Sequence, residues 1–372
     1  MGRDVWLVLP DQLSIRLFFD TGIVRGLRER LGDRLVLVFL VAPAEAEEWT
    51  AREPGVRALH GDELAGRPDL LGRILSRLDA RLDAWLGYYP LAIRLNYRHG
   101  FHLERMQPGH PNWMLDSARA GPLPRWGWLE RAMERWHFGR LRHVPPALRK
   151  RMQETCGALV LSNAQPRSAV PYLLAARRLR LPIVAHIASW DHTVGKGVIP
   201  RFCDAYVVQN RTMADDLARY HDIGPERVTV TGWPQTDVYS LRRPRERFAE
   251  LLSSWGLDPG RPLVAVMGNT PTNAPYEGRF VERLVGWWEE AARGRVSLLF
   301  RPHPRDREWR ERFAAAQGRQ GVHVQEASFT DLDDLATVLQ HAGCVVANAG
   351  TILLEALVND RPAVCVLYDE GA

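Results

Sequence analysis

The chain has 372 residues, 46% hydrophobic and 25% charged, which fits two globular α/β domains and excludes a disordered or fibrous protein. No apolar run reaches the roughly 18–20 residues of a membrane span, and "VWLVLP" at the start is too short for a signal-peptide core. The net charge of +5 is unevenly placed, with ten Arg or Lys against four acids in residues 101–151, while 47 arginines beside two lysines reflect base composition more than a need for guanidinium chemistry.

In chain order, "DVWLVLP" reads as a buried strand, "SIRLFFDTGIVRGLRERLG" as one helix ended by Gly32, and "RLVLVFLVA" as a second strand, with "VRALHGDEL" a candidate third. Residues 68–154 turn helical and aromatic, broken by Pro122, Pro124, Pro145 and Pro146. Alternation then resumes with strands "ALVLSNA", "PIVAHIAS", "AYVVQN" and "RVTVTG" and helices "RSAVPYLLAARRLRL" and "RTMADDLARYHDI". Residues 1–240 therefore read as a Rossmann-like domain carrying an Arg/Trp-rich helical insertion. After a charged linker, residues 255–372 read as a second parallel α/β domain. Its strands are "PLVAVMGN", "VSLLFRPH", "VHVQEA", "CVVANAG" and "AVCVLY", with helices "FVERLVGWWEEAA", "REWRERFAAAQ", "LDDLATVLQHA" and "TILLEALVN" between them. The chain stops just after a strand, so the expectation is that closing helices are missing. The four cysteines, Cys156, Cys203, Cys344 and Cys365, are far apart without a CxxC pair, and buried free thiols are expected.

Three polar loops follow strands of the second domain and share one rim. "MGNTPTN" supplies Gly268, Asn269 and Thr270; "RPHPRD" supplies Arg301 and His303 between stiffening prolines; "ANAGTILLEALVND" supplies Asn348, Gly350, Thr351 and Glu355. Backbone N–H groups where a strand hands over to a helix attract phosphate, Gly350 admits a close ligand, and the Thr351 hydroxyl can cap the helix. Glu355, one turn on, suits two ribose hydroxyls; the alternative is a capped helix with a solvent-facing Glu. Arg301 and His303 suit a diphosphate, or else form a surface turn paired with Asp306 or Glu308.

The segments "RVTVTGWPQTDVY", "RPHPRD", "NAGTILLEALVNDRPAVCV" and "SWDHTVGKG" together resemble the GT-B superfamily of nucleotide-sugar glycosyltransferases. Within it they look like bacterial surface-polysaccharide transferases and CDP-glycerol glycerophosphotransferases. The resemblance covers roughly residues 155–372 and implies two facing Rossmann-like domains, the N-terminal one for the acceptor and the C-terminal one for the donor nucleotide. It implies transfer of a sugar, or glycerol phosphate, from a nucleotide-sugar or CDP-activated donor to a carbohydrate or lipid-linked acceptor in envelope polysaccharide synthesis. Arg301, His303, Asn348 and Thr351, with the turn at Gly350, would hold donor phosphate and Glu355 the ribose, while Gly268, Asn269 and Thr270 complete the donor-binding rim. The usual Ser/Thr pair is reduced here to Ala349, Gly350 and Thr351, which shifts the contact toward backbone. No cofactor and no metal are implied, the activated donor being a substrate. UDP-N-acetylglucosamine 2-epimerases share the "VTG" and "G…EA" segments but not their first-domain motifs here, and a non-catalytic nucleotide-sugar-binding protein is the remaining alternative.

Transfer also needs a base for the acceptor hydroxyl. Asp191, beside His192 and Lys196 in a glycine-punctuated loop, and Asp11, after the first strand, are the candidates. Asp191 could instead pair with Lys196, and Asp11 could simply cap the next helix. Last, "PRWGWLERAMERWHFGRLRHV", about 125–143, places Leu129, Ala132, Met133 and Trp136 on one helix face and Arg131, Arg135, Arg140 and Arg142 at its polar side. It is either an ordinary packed helix or one that seats the protein on an anionic membrane surface. No nucleic-acid module is present, so nucleic acid is not an expected partner. These features imply a cytoplasmic protein, peripheral on the inner face of the cytoplasmic membrane.

Overall fold

A computed structural model describes residues 3–65, 86–87, 90–91, 94, 127–139, 144–165, 167–271, 273–326, 328, 332–348 and 350–366. Most of the expected insertion, together with Ala349, Arg140, Arg142 and the tail after Val366, lies outside them. The chain divides into two compact units, Met1–Gln235 and Thr236–Ala372.

The first unit holds a seven-stranded sheet in the order β3-β2-β1-β4-β5-β6-β7. The strands are β1 (Asp4–Leu9), β2 (Leu35–Phe39), β3 (Arg57–His60), β4 (Cys156–Leu161), β5 (Ile183–His186), β6 (Ala205–Val208) and β7 (Val228–Val230), and every pairing is parallel. All five residues of β2 are buried, because helices cover both faces and a continuous apolar run is then what the strand requires. The two faces separate by residue parity. Trp6, Val8, Val36 and Val38 join one core cluster. Leu7, Leu9, Leu35, Leu37 and Phe39 join the other.

The second unit holds a five-stranded parallel sheet ordered β10-β9-β8-β11-β12. Its strands are β8 (Leu263–Met267), β9 (Ser297–Arg301), β10 (Val322–Val324), β11 (Cys344–Ala347) and β12 (Ala363–Cys365). Leu263, Ala265 and Leu299 pack on one face and Val266, Leu298 and Phe300 on the other. In each sheet the chain order reverses once, between β1 and β4 and between β8 and β11. Loops leaving the carboxyl ends of strands on either side of such a reversal diverge, and the crevice they leave is the natural ligand site of a doubly wound sheet.

Two local expectations are corrected and one helix is added. The single helix expected before Gly32 is two, Gln12–Asp20 and Ile23–Leu31. The break comes at Gly22, whose φ of 75° only glycine adopts without strain. Pro43–Ala51 is helical, opened by Pro43 and buried only through Ala46 and Trp49, a pattern too sparse to read as amphipathic. The helix expected over 307–317 is one turn, Trp309–Arg312, then a 3₁₀ turn, Ala314–Ala316; Phe313 and Ala316 are fully buried there, with Phe313 edge-on to Phe300.

Cys156 and Cys203 are buried thiols that burial pushes up to about 12, far from the thiolate form that reacts. Cys344 is half-buried, but Cys365, on the outermost strand of its sheet, is exposed and corrects the expectation of burial. Beside it, Leu357 and Val358 of helix Thr351–Val358 are 61% and 51% exposed.

Candidate functional site

In the second unit the reversal between β8 and β11 is closed by a hydrogen bond. The Asn269 amide, in the loop after β8, donates to the Asn348 carbonyl after β11 at 3.1 Å. The end of β9 joins from the other side: the Gly268 N–H donates to the Arg301 carbonyl at 2.8 Å. A side chain on Gly268 would lie 3.1 Å from the Pro302 Cα and 3.2 Å from the His303 nitrogen, so glycine is what lets the two loops touch. Gly350 has φ of 129° and opens helix Thr351–Val358 as its N-cap, with no side-chain capping bond. Thr351 is thus the first helical residue and not the cap expected of it. Among the described residues, nothing stands within 4 Å of where a Gly350 Cβ would point.

His303 is half-buried, and its Nδ1 lies 3.0 Å from the Arg305 backbone N–H. Since that N–H can only donate, Nδ1 accepts and the neutral ring keeps its proton on Nε2, a hydrogen-bond donor. Arg301 is buried, 8% exposed, and donates to Gln325 at 2.5 Å, so it ends β9 inside the sheet rather than on an open turn. The Asn269 side-chain oxygen accepts from the Thr270 N–H at 2.8 Å, and the Asn348 amide donates to the Val366 carbonyl at 3.1 Å. These two asparagines shape the rim through bonds within the protein.

Glu355 is 3% exposed, which removes the solvent-facing alternative. Its carboxylate takes a short hydrogen bond from the Tyr239 hydroxyl. Tyr239 is itself buried in the second unit's core. Replacing Tyr239 by Phe leaves the carboxylate without this donor, and we expect a loss of about 1.5–3 kcal/mol in urea unfolding. An unchanged unfolding midpoint would show that the bond carries no net stability.

Sequence reading passed over Glu277, Asp306 and Arg312 as a group. Arg312 is 10% exposed as a side chain and lies between two carboxylates, 2.9 Å from Glu277 and in a short contact with Asp306. It also donates to the Asn269 carbonyl at 3.2 Å and to the Ala274 carbonyl at 2.6 Å. Glu277 returns to the same loop by accepting the Asn269 N–H at 2.9 Å. Asp306, in sequence a candidate partner for a surface turn, is 2% exposed.

In the first unit, Asp11 caps helix Gln12–Asp20 by accepting the Ser14 N–H at 2.9 Å, so the capping alternative is what the structure shows. Its other carboxylate oxygen accepts from Asn163 at 3.3 Å, across the reversal between β1 and β4. Asp191 lies 3.7 Å from Lys196 and pairs with it. His192 follows, its ring pushed down to about 4 by burial, against the opposing pull of Asp191. Its Nδ1 is buried without a partner among the described residues, as are His186 Nε2 and Gln165 Oε1. His186 Nδ1 donates to the Ser162 carbonyl at 2.8 Å, which leaves a lone pair on Nε2. His186 and Gln165 had drawn no attention in the sequence, since an imidazole at a strand end looks like a satisfied core residue.

Two Rossmann-like units with parallel sheets of seven and five strands make a GT-B-like fold. No family model matches the chain. Among curated proteins it is 27% identical over 206 residues to the UDP-N-acetylglucosamine–N-acetylmuramyl-(pentapeptide) pyrophosphoryl-undecaprenol N-acetylglucosamine transferase of a Synechococcus species. That match takes in 55% of this chain and 50% of the relative, so the chain spans about half the length of the curated protein it matches. Among solved structures, UDP-N-acetylglucosamine 2-epimerase from Rickettsia bellii superposes with a TM-score of 0.53 at 13% identity, over 98% of this chain and 78% of that one. The Neisseria meningitidis UDP-GlcNAc 2-epimerase bound to UDP-GlcNAc gives 0.56 at 8% identity, over 97% and 82%. At such identities the likeness is one of fold.

Proposed function

We propose that the protein is a nucleotide-sugar glycosyltransferase of envelope polysaccharide synthesis, with a UDP-activated sugar as donor. The observation that carries this reading is the joining of three loops at the rim of the second sheet, where Gly268 meets His303 and Asn269 bonds to Asn348. In this reading the exposed backbone at Gly350 and Thr351 and the His303 Nε2–H receive the diphosphate, and Glu355, oriented by Tyr239, accepts from the ribose. The buried acceptor atoms of His186 and Gln165, with Asp11 and Asp191 as candidate bases, serve the acceptor hydroxyl in the first unit. The curated transferase and the UDP-bound neighbour support UDP over CDP as the donor nucleotide.

Thermal-shift screening of UDP, GDP, CDP, CMP and dTDP tests the donor. At about 100 times its dissociation constant UDP should stabilise the protein by about 2.7 kcal/mol, and the others less. Equal shifts for all five would reject a specific nucleoside site. The epimerase alternative predicts turnover of UDP-N-acetylglucosamine with no acceptor present. Unchanged function in both Asp11→Ala and Asp191→Ala would favour a non-catalytic binding protein.

The acceptor side of this reading includes the membrane. Helix Gly127–His137 does not use the face expected of it: Met133 and Glu134 are buried, whereas Ala132 and Trp136 are exposed. The outward face carries Trp128 and Trp136, 65% and 52% exposed, with Arg131 and Arg135 between them. Indole rings and arginines at one-turn spacing suit the headgroup layer of an anionic bilayer. In vesicle flotation, the wild type should float with phosphatidylglycerol vesicles at physiological salt, and W128A/W136A should not. Equal flotation of the two, or none by the wild type, removes the membrane from the proposal.

A further inference from the structure

Arg312 lies beneath the phosphate-facing rim of the second unit without belonging to it. Both terminal nitrogens of its guanidinium are engaged inside the protein: one donates to the Asn269 carbonyl and Asp306, the other to the Ala274 carbonyl and Glu277. The group is therefore spent on the fold, and any effect on a ligand must pass through what it holds. What it holds are two different loops. Asn269 and Ala274 belong to the loop after β8, and Asp306 to the loop after β9. Asp306 in turn donates its N–H to the His303 carbonyl at 2.8 Å and accepts the Glu308 N–H at 2.9 Å, which folds the turn that aims the imidazole. Glu277, from the far side, takes the Asn269 N–H.

The charges matter as much as the bonds. Glu277 and Asp306 are 3% and 2% exposed, and Arg312 contacts both carboxylates. Two buried carboxylates directly behind loops that receive a diphosphate would repel it; one interposed guanidinium cancels half of that charge and fixes the loops together. A fork with parallel N–H pairs can bridge four acceptors in this way, whereas an ammonium cannot.

We propose that Arg312 is the positioning residue of the donor site, holding the loops after β8 and β9 in register and shielding the phosphates from Glu277 and Asp306. The proposal rests on the nucleotide reading of that rim. Its test is a binding series of uridine, UMP and UDP by calorimetry on the full chain, for the wild type, Arg312→Met, Arg312→Lys and the double variant R312M/E277Q. In Arg312→Met, UDP affinity should fall at least about tenfold, UMP affinity less, and uridine affinity less than about twofold, because the lost shielding acts on phosphate charge. R312M/E277Q should recover part of the UDP loss by removing one carboxylate charge. Arg312→Lys, which keeps the charge and loses the fork, should lie between wild type and Arg312→Met, and it carries the test if Arg312→Met does not fold. Equal losses for uridine and UDP would show a general structural role and overturn the proposal, as would wild-type UDP affinity in Arg312→Lys and Arg312→Met. Failure of the wild type to bind UDP at all is a separate result, which removes the donor reading itself.

Discussion

Glu134→Ala is expected to cost about 3–5 kcal/mol in the unfolding of the first unit, the range for removing one member of a buried ion pair. Glu134 is 7% exposed and receives two arginines from distant parts of the chain: Arg94 at 2.6 Å and Arg201 in a short contact. Arg94 also bonds Glu130 at 3.1 Å and the Tyr220 carbonyl at 2.7 Å, so it links helix Gly127–His137 to helix Arg211–His221. Removing the carboxylate leaves Arg94, 13% exposed as a side chain, with one anionic partner in place of two among the described residues. Arg201 keeps Asp222 at 2.7 Å and is more open to water, so most of the loss comes from Arg94. Urea unfolding of Glu134→Ala and Glu134→Gln measures it. A loss below about 1 kcal/mol would mean that water replaces the carboxylate around Arg94, and that the helix is held by Met133 rather than by charge.

The strands were legible because parallel sheets covered on both faces demand uninterrupted apolar runs, and "LVLVF" or "SLLFR" can hardly be anything else. The rim loops were legible for a related reason: a glycine and polar residues directly after such a run mark the carboxyl end of a strand. The supports of the site were not. Tyr239 reaches Glu355 across 116 residues of sequence, and Arg312 reaches Glu277 across 35, so no periodicity or local spacing joins them. The break at Gly22 was hidden because one glycine inside an apolar-periodic run need not end a helix, and the burial of Arg301 was not legible because it depends on the neighbouring loop that supplies Gln325. The helix at Gly127–His137 shows the same limit in reverse. Its apolar positions are visible in the sequence, but ion pairs from Glu134 to Arg94 and Arg201 turn a charged position inward, and no local pattern foretells them.

Two buried histidines set the acid response, which should be steep in the first unit. His221 is 1% exposed, accepts the Ile199 N–H at 3.0 Å and donates to the Thr193 carbonyl at 2.7 Å, so both ring nitrogens are satisfied only in the neutral form. Burial pushes it down to about 4, with the Thr193 bond opposing and the nearby Arg94 and Arg201 adding to the fall. His192 is pushed down to about 4 as well, again chiefly by burial. In the unfolded chain both titrate near 6.5. Above that pH neither state binds the extra protons and stability is complete. Between 6.5 and 4 the unfolded chain takes them up and the native one does not, so stability falls with decreasing pH and levels off below 4. A difference of this size corresponds to about 3 kcal/mol for each histidine. Urea unfolding at steps from pH 7 to pH 4 should therefore show the first unit weakening by several kcal/mol. His221→Gln should be less stable at pH 7, where it lacks one of the two bonds, and should lose visibly less on acidification. A variant that weakens as steeply as the wild type below pH 6.5 would place the acid sensitivity in the carboxylates instead.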